Sequence, residues 1–476
     1  MTKKKILYYN WVQFDNKNKI GGGVNVYQYN LIDELKDNPK YELYFLSSGL
    51  KYNPFKPHSY VKQSKNKFEY KCKSYEVINS SIMAPAFAIY MNPKKFIEDD
   101  NSYKILKDFI MKLGPFDVIH FNNMEGLSIN VLKIKEDFPN TKIIFSIHNY
   151  QPICPLVQYF QNHNNVICHD FKNGEECLKC SVWKPNKKEY IHKCRNYLLG
   201  KTPQYLIPIL KPLINIFTKL FKFKTKEYTG SIKTMIPVEY AKYRKHNIEQ
   251  INKYVDVVLA VSDRVRMIMI DNGVNPDIIK TSYIGTKFAN NEVGYSVAPK
   301  SEKLTIAYLG YERIDKGYFF LLESLTKLDD SIKQKINVVL AVANINKDKA
   351  MNTLKGFNKV TIFNGYKHEQ LKEILSTVNL GIVPVLWEDN LPQVAIEMVA
   401  NGVPILCSSF GGASELCKSE LFKFNGGDEK DFLEKLSSFV FNPLLLDEYW
   451  QHRNKLTTMK QHIQELDMYY EGTYND

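Results

Sequence analysis

Two carboxylates, Asp389 and Glu397, stand eight positions apart in the stretch WEDNLPQVAIEMVANGVPI, with Pro392 between them and Gly402 and Pro404 beyond. The run LGIVPVL before them reads as a buried strand. Asn390 is expected to cap the following helix, with Pro392 in its first turn. Leu391, Val394, Ala395, Met398 and Val399 would share its apolar face, and Gly402 would end it. Asp389 thus falls in a loop at the carboxyl end of a strand, where open parallel sheets bind ligands. A plainer reading makes Asp389 a helix-start acid favoured by the dipole and Glu397 a solvated helix residue.

Other residues with chemical potential fall at similar places. Arg313 and Lys316, in YLGYERIDKGYFF, follow another strand. Cations there clamp a diphosphate and stabilise it as a leaving group, unless the loop is merely solvated. Gly21, Gly22 and Gly23 separate the first strand from the first helix, where glycines let backbone N–H groups approach a phosphate. The pattern is neither GxGxxG nor GxxxxGKS, which disfavours a standard dinucleotide site and a P-loop. His148 ends the strand IIFSIH and, with Asn149, Tyr150 and a Cys-Pro pair beyond, reads as a site residue. His120 ends DVIH and fits a site role or a strand end equally well.

Cys154, Cys168 and the pair Cys177-x2-Cys180 supply four thiols, the last two as the tight chelating pair that structural zinc sites use. Cys194, His163, His169 and His192 are further donors, and reduced thiols without metal are the alternative. Residues 191–226 carry Lys193, Arg195, Lys201, Lys211, Lys219, Lys222, Lys224 and Lys226 without an acid, interleaved with Leu206, Ile209, Leu213, Ile216 and other apolar residues. That mixture suits contact with an anionic membrane surface. Prolines at 203, 208 and 212 argue against one long helix, and a helix pair packed on the first domain is the other reading.

The elements that must position these residues alternate. KILYYN, YELYFLSS, DVIHF, KIIFSIHN and VDVVLAVS read as strands in the first part, and LTIAYLG, INVVLAVA, VTIFNG, LGIVPVL and PILCSS in the second. Helices such as GGGVNVYQYNLIDELK and GYFFLLESLTKL separate them. Strands alternating with helices argue a doubly wound parallel sheet. The pattern occurs twice, on either side of the linker-like NEVGYSVAPKSEK, so two α/β halves facing a cleft are expected. The tail DEYWQHRNKLTTMKQHIQELDMYY reads as one terminal helix.

At 476 residues, two or three domains are expected. Apolar and charged fractions of 44% and 24% are those of a folded soluble protein. The net charge of +13 fits an anionic partner, and with no recognisable stacking module nucleic acid is set aside. The start MTKKKILYYNWV reads as a strand rather than a signal peptide, and no run is long and apolar enough to span a bilayer. A cytoplasmic protein with reduced cysteines is the expectation.

Taken together, IGGGVNVY, SIHNYQPICP, VDVVLAVSDRV, YLGYERIDKG and VPVLWEDNLPQVAIEMVANGVPIL followed by FGGASEL resemble the family 4 retaining glycosyltransferases of the GT-B fold. The resemblance runs through most of the chain. It implies two Rossmann-like doubly wound domains. The first, 1–295, would sit on the acceptor side and carry the cysteine-rich and basic insertion 150–250. The second, 296–455, would bind a nucleotide diphosphate sugar, and 456–476 would form a terminal helix returning to the first domain.

The resemblance also implies roles: Asp389 on the donor sugar, Glu397 on the donor ribose, and Lys316 with a nearby arginine on the diphosphate. The backbone N–H groups of Asn390 and Leu391 and of Gly21–Gly23 would add to that grip. Asn149 replaces the usual Asp, Asp389 replaces the usual Glu with Glu388 beside it as an alternative, Ile284-Gly285 stands for Asn-Gly, and Tyr311 occupies the usual arginine position, leaving Arg313 as replacement. The activity implied is sugar transfer, with retention and without a catalytic metal, to a lipid-linked or saccharide acceptor in cell-surface polysaccharide synthesis. The enzyme would be peripheral on the inner face of the membrane. A non-catalytic nucleotide-sugar-binding partner subunit is the competing reading.

Overall fold

The structure, a computed structural model, describes residues 3–15, 20–56, 58–68, 70–85, 93–180, 187–220, 236–287, 289 and 303–474. The linker expected at 290–303 and residues 221–226 of the basic segment fall almost wholly outside them.

In the first half, the strands are β1 (Lys4–Tyr9), β2 (Tyr41–Lys51), β3 (Tyr60–Ser64), β4 (Cys72–Ile78), β5 (Val118–Phe121) and β6 (Lys142–Ile147). A small hairpin of β7 (Phe160–Gln161) and β8 (Val166–Ile167) follows, then β9 (Val257–Ala260) and β10 (Ile279–Thr281). Among the described residues these form one sheet in the order β10-β9-β6-β5-β1-β2-β4-β3, apart from the hairpin. Every pair is parallel except β3 with β4. The second half contributes β11 (Leu304–Tyr311), β12 (Ile336–Ala343), β13 (Lys359–Asn364), β14 (Leu380–Val383), β15 (Ile405–Ser408) and β16 (Lys423–Phe424), in the parallel order β13-β12-β11-β14-β15-β16.

The central strands are short runs buried along their length, such as VIHF in β5 and LGIV in β14, as a sheet covered on both faces requires. In each sheet the chain winds outward from a middle strand in both directions. β1 lies between β5 and β2, and β11 between β12 and β14, so the crevices open at the carboxyl ends of β1/β5 and β11/β14. The glycine turn follows β1, the Lys316 loop follows β11 and the Asp389 loop follows β14.

Two local expectations need correction. The helix after β14 spans Gln393–Ala400 with Pro392 itself in the capping position, so Asn390 lies two residues upstream of the cap. The tail is not one helix: Glu448–His452 is followed by an extended stretch and a second helix, Met459–Glu471. Thr458 and Gln461 form a reciprocal capping box that starts the second helix afresh. That last helix lies on the first domain, where the Tyr470 hydroxyl is 2.8 Å from that of Tyr8 and Asp467 accepts from Tyr41 at 2.6 Å.

In the insertion, helices Lys187–Lys201 and Ile207–Leu220 are separated at Pro203. Pro208 sits in the first turn of the second, where its missing N–H costs nothing, and Pro212 lies inside it. The first of the pair packs against β2, and Phe55 just beyond β2 stacks on Phe217 of the second, with ring centroids 5.6 Å apart.

Candidate active site

A cavity of about 510 Å³ lies between the two domains at these carboxyl edges. The first domain lends Gly22, Gly23, Tyr27 and His148, and the second Lys316, Asp389, Asn390, Leu391 and Glu397.

The glycine run has three separate reasons. Gly21 precedes the helix Gly22–Leu35 at φ +103, and Gly22 is at φ +59, both left-handed. At Gly23 a Cβ would stand 2.8 Å from the side chain of Gln393, because the helix starts of the two domains approach there. Gly21 itself does not line the cavity.

Lys316 Nζ lies 2.5 Å from Asp389 Oδ2 and 4.8 Å from the centre of the Trp387 ring. The ammonium is therefore held at the cleft by an ion pair and by the face of an aromatic ring. Arg313 does not join it. Its guanidinium makes a two-pronged pair with Asp315, at 2.9 and 2.7 Å, and is absent from the cavity lining. Asp315 also accepts from Gln158 of the first domain at 2.9 Å. Tyr311, at the position expected to carry arginine in relatives, lines the cavity, as does Ile284.

The two candidate first acids point in different directions. Glu388 is fully buried, accepts from Arg264 Nε at 2.8 Å and from the Gly411 N–H at 2.9 Å, and is not in the cavity lining. Of these two, Asp389 is the one that lines the cleft. Both polar atoms of the Asn390 side chain are buried without a protein partner, although the residue lines the cavity. Buried amides are nearly always hydrogen-bonded, so this one is open to a polar partner entering the cavity.

Glu397 is nine-tenths buried and accepts from the Tyr366 hydroxyl at 3.5 Å. Burial raises its pKa to about 7, against the lowering effect of that hydrogen bond. His148 donates from Nε2 to Asn122 Oδ1 at 3.2 Å and lies 5.0 Å from the Tyr27 ring. Burial and the neighbouring His462 depress its pKa to about 3, so it is a neutral hydrogen-bonding group. His120 lies behind the site. It is fully buried, between the Tyr470 hydroxyl at 2.9 Å and Ser146 Oγ at 2.7 Å.

The cysteine-rich loop packs beside this domain with all its thiols buried. Among the described residues, no three Cys, His, Asp or Glu side chains are arranged to hold a metal ion. Instead the guanidinium of Arg244 donates to Cys168 and Cys177, at 3.8 and 3.7 Å, and Cys180 lies 3.4 Å from His163 Nδ1. Cys194 is elsewhere, packed with Tyr52, Tyr190 and Tyr243. Arg264, Tyr366, Trp387, Asn122 and Gln158 were not singled out in the sequence. Only Trp387, beside the acids, carried a local signal; the others reach the site from elements distant in the chain.

Residues 295–457 match the family model of glycosyl transferases, group 1. That range holds Lys316, Asp389, Asn390 and Glu397, while His148 and the glycine turn lie outside it. Over 166 residues the chain is 26% identical to the putative teichuronic acid biosynthesis glycosyltransferase TuaC of Bacillus subtilis. The alignment spans 34% of this chain and 40% of that protein. Among solved structures, sucrose-phosphate synthase from Thermosynechococcus elongatus superposes with a TM-score of 0.59 at 14% identity, over 99% of each chain. Anabaena Alr3699/HepE in complex with UDP and glucose gives 0.54 at 10% identity, over 98% of this chain and 100% of that one. At such identities the likeness establishes the fold: this is a GT-B architecture of two Rossmann-like domains facing a cleft.

Proposed function

We propose that this chain is a retaining glycosyltransferase. It moves a sugar from a nucleotide diphosphate donor to a hydroxyl of a lipid-linked or saccharide acceptor in cell-surface polysaccharide synthesis, without a catalytic metal. Convergence of Lys316, Asp389, the unpartnered Asn390 amide and Glu397 in one interdomain cavity supports this reading most directly. The group 1 match over the same residues supports it independently. The UDP and glucose in the Anabaena structure favour a nucleoside diphosphate sugar as donor, and the teichuronic acid role named for the Bacillus relative favours a polysaccharide product.

In this reading the acceptor oxygen bonds to the anomeric carbon as the bond from that carbon to the diphosphate breaks; negative charge grows on the leaving group, and the acceptor hydroxyl's proton passes to it. Lys316 and the N–H groups at the start of the helix Gly22–Leu35 stabilise that charge. A diphosphate competes with Asp389 for Lys316, which frees the Asp389 carboxylate to accept from sugar hydroxyls. Glu397 accepts from the ribose, and the neutral His148 hydrogen-bonds the transferred sugar from the first domain.

Peripheral membrane association is part of the proposal. No described helix is long and apolar enough to cross a membrane. The helix Ile207–Leu220, however, turns Ile209, Leu213 and Ile216 outward at 66%, 59% and 55% exposure, next to Tyr205 at 78% and the exposed Lys201 and Lys211. Exposed apolar residues rimmed by lysines suit an anionic lipid surface.

The test is nucleotide release from a panel of UDP-, GDP- and ADP-sugars with membrane lipid extract as acceptor source. Release from one donor, lost in Glu397→Gln, is the expected result. Binding of a donor without turnover would favour the partner-subunit reading, and no binding of any donor would overturn the site.

A further inference from the structure

We infer that Arg264 is a positioning residue of the donor site. By pairing with Glu388 across the two domains, it sets the loop that carries Asp389 and Asn390 and so the direction in which these two meet the donor. The functional meaning rests on the proposed donor site.

Arg264 belongs to the first domain, in the helix Asp263–Asp271. Its guanidinium makes a two-pronged contact with the Glu388 carboxylate, through Nε at 2.8 Å and through Nη2. Glu388 is fully buried, whereas the arginine side chain keeps 42% of its exposure. The carboxylate is thus buried where the two domains meet, and its matching cation is supplied by the first. Removing that cation leaves the buried charge with the Gly411 N–H but no counter-charge, which is strongly unfavourable and favours rearrangement of the loop.

Two more contacts join the same helix start to the same region. Ser262 Oγ donates to the Asn390 carbonyl at 2.7 Å. Glu415 of the second domain accepts from the backbone N–H groups of Asp263 and Arg264, at 3.0 and 2.6 Å, and from the Tyr283 hydroxyl at 2.6 Å. A carboxylate on a helix N-terminus is a favourable pairing of charge and dipole. All three contacts bear on the acid loop or on the turn behind it, where Gly412 N–H donates to the Asp389 carbonyl at 2.8 Å. Because Glu388 and Asp389 are neighbours with side chains directed apart, anchoring the first fixes the direction of the second.

The test compares wild type with Arg264→Lys and with the double variant Arg264→Met/Glu388→Gln, which leaves no unpaired charge. Two quantities are measured: backbone hydrogen exchange over 387–391 without donor, and steady-state constants for whichever UDP-, GDP- or ADP-sugar of the panel releases nucleotide with wild type. Expected are faster exchange in both variants and a donor KM raised about tenfold in the double variant with kcat kept, the scale of one close pair's coupling. Arg264→Lys, which keeps the charge but loses the fork, should fall between. Unchanged exchange at 387–391, or a loss confined to kcat, overturns the inference. If wild type binds no nucleotide sugar, the proposed donor site fails, and the exchange comparison alone still decides whether Arg264 positions the loop.

Discussion

Lys316 Nζ and Asp389 Oδ2 are 2.5 Å apart although 73 residues separate them in the chain. The loops after β11 and β14 meet because those strands are neighbours at the point where the sheet order reverses. The pair places the cation and the acid of the cleft on one another, so each holds the other's rotamer. Lys316→Ala and Asp389→Asn are each expected to lower kcat/KM for nucleotide release by about 10²–10³. Their effects should not add, since both variants dissolve the same ion pair. A double-mutant cycle on release rates checks this, and full additivity would contradict a shared role.

Glu397 is expected to make the proposed donor site pH-dependent. Its folded-state pKa of about 7 stands above the ordinary 4.5. For a group raised in this sense, the contribution to stability is complete below its unfolded pKa and is lost as pH rises from about 4.5 through 7. In the proposed donor site binding runs the other way, because ribose hydroxyls would donate to the ionised carboxylate. The donor Kd should therefore fall as pH rises through about 7, and Glu397→Gln should flatten that dependence. Direct binding titrations of the two proteins across pH at matched ionic strength give the answer.

Gly411 underlies the acid loop from the other side. It sits at φ +74, and a Cβ there would stand 2.2 Å from the Asp389 carbonyl oxygen. Gly411→Ala should cost about 1–3 kcal/mol of stability and raise donor KM, because the backbone that moves aside is that of Asp389. Gly356→Ala is the control: φ is +101, a Cβ would come no nearer than 3.6 Å to a neighbouring side chain, and the residue does not line the cavity, so about 1–2 kcal/mol from backbone strain is expected without an effect on the donor. Thermal melting together with donor KM separates the two.

The outward face of the helix Ile207–Leu220 predicts lipid binding that depends on both grease and charge. Ile209→Asp with Leu213→Asp should weaken sedimentation with vesicles containing anionic lipid by more than about tenfold. Melting should change by no more than about 0.5 kcal/mol equivalent, as these are exposed positions. Raising the salt should weaken wild-type binding, and neutral vesicles should bind least. Equal binding by wild type and variant would remove this face from the proposal.

The strands and helices around the site were legible in sequence because their signals are local. β-branched runs such as IVPV, glycines at turns, and Gly402 after the helix Gln393–Ala400 act within a few residues. Two misreadings were also of local origin. Asp315, two positions from Arg313, diverts that arginine from the cleft, and the Thr458–Gln461 capping box restarts the tail helix. Cys168 and Cys177 do meet in space while Cys194 packs elsewhere, and the cation beside the first two, Arg244, comes from the distant helix Pro237–Tyr254.

By itself the sequence determined the alternation of strands and helices, the doubled α/β plan, and the residue types that reach the carboxyl edges of the sheets, since these follow from short-range periodicity and turn chemistry. Only the tertiary structure decided which of two adjacent acids faces the cleft. Neighbouring side chains point apart, and the choice between them rests on Arg264, 124 residues away, which takes Glu388 into a buried ion pair and leaves Asp389 to Lys316.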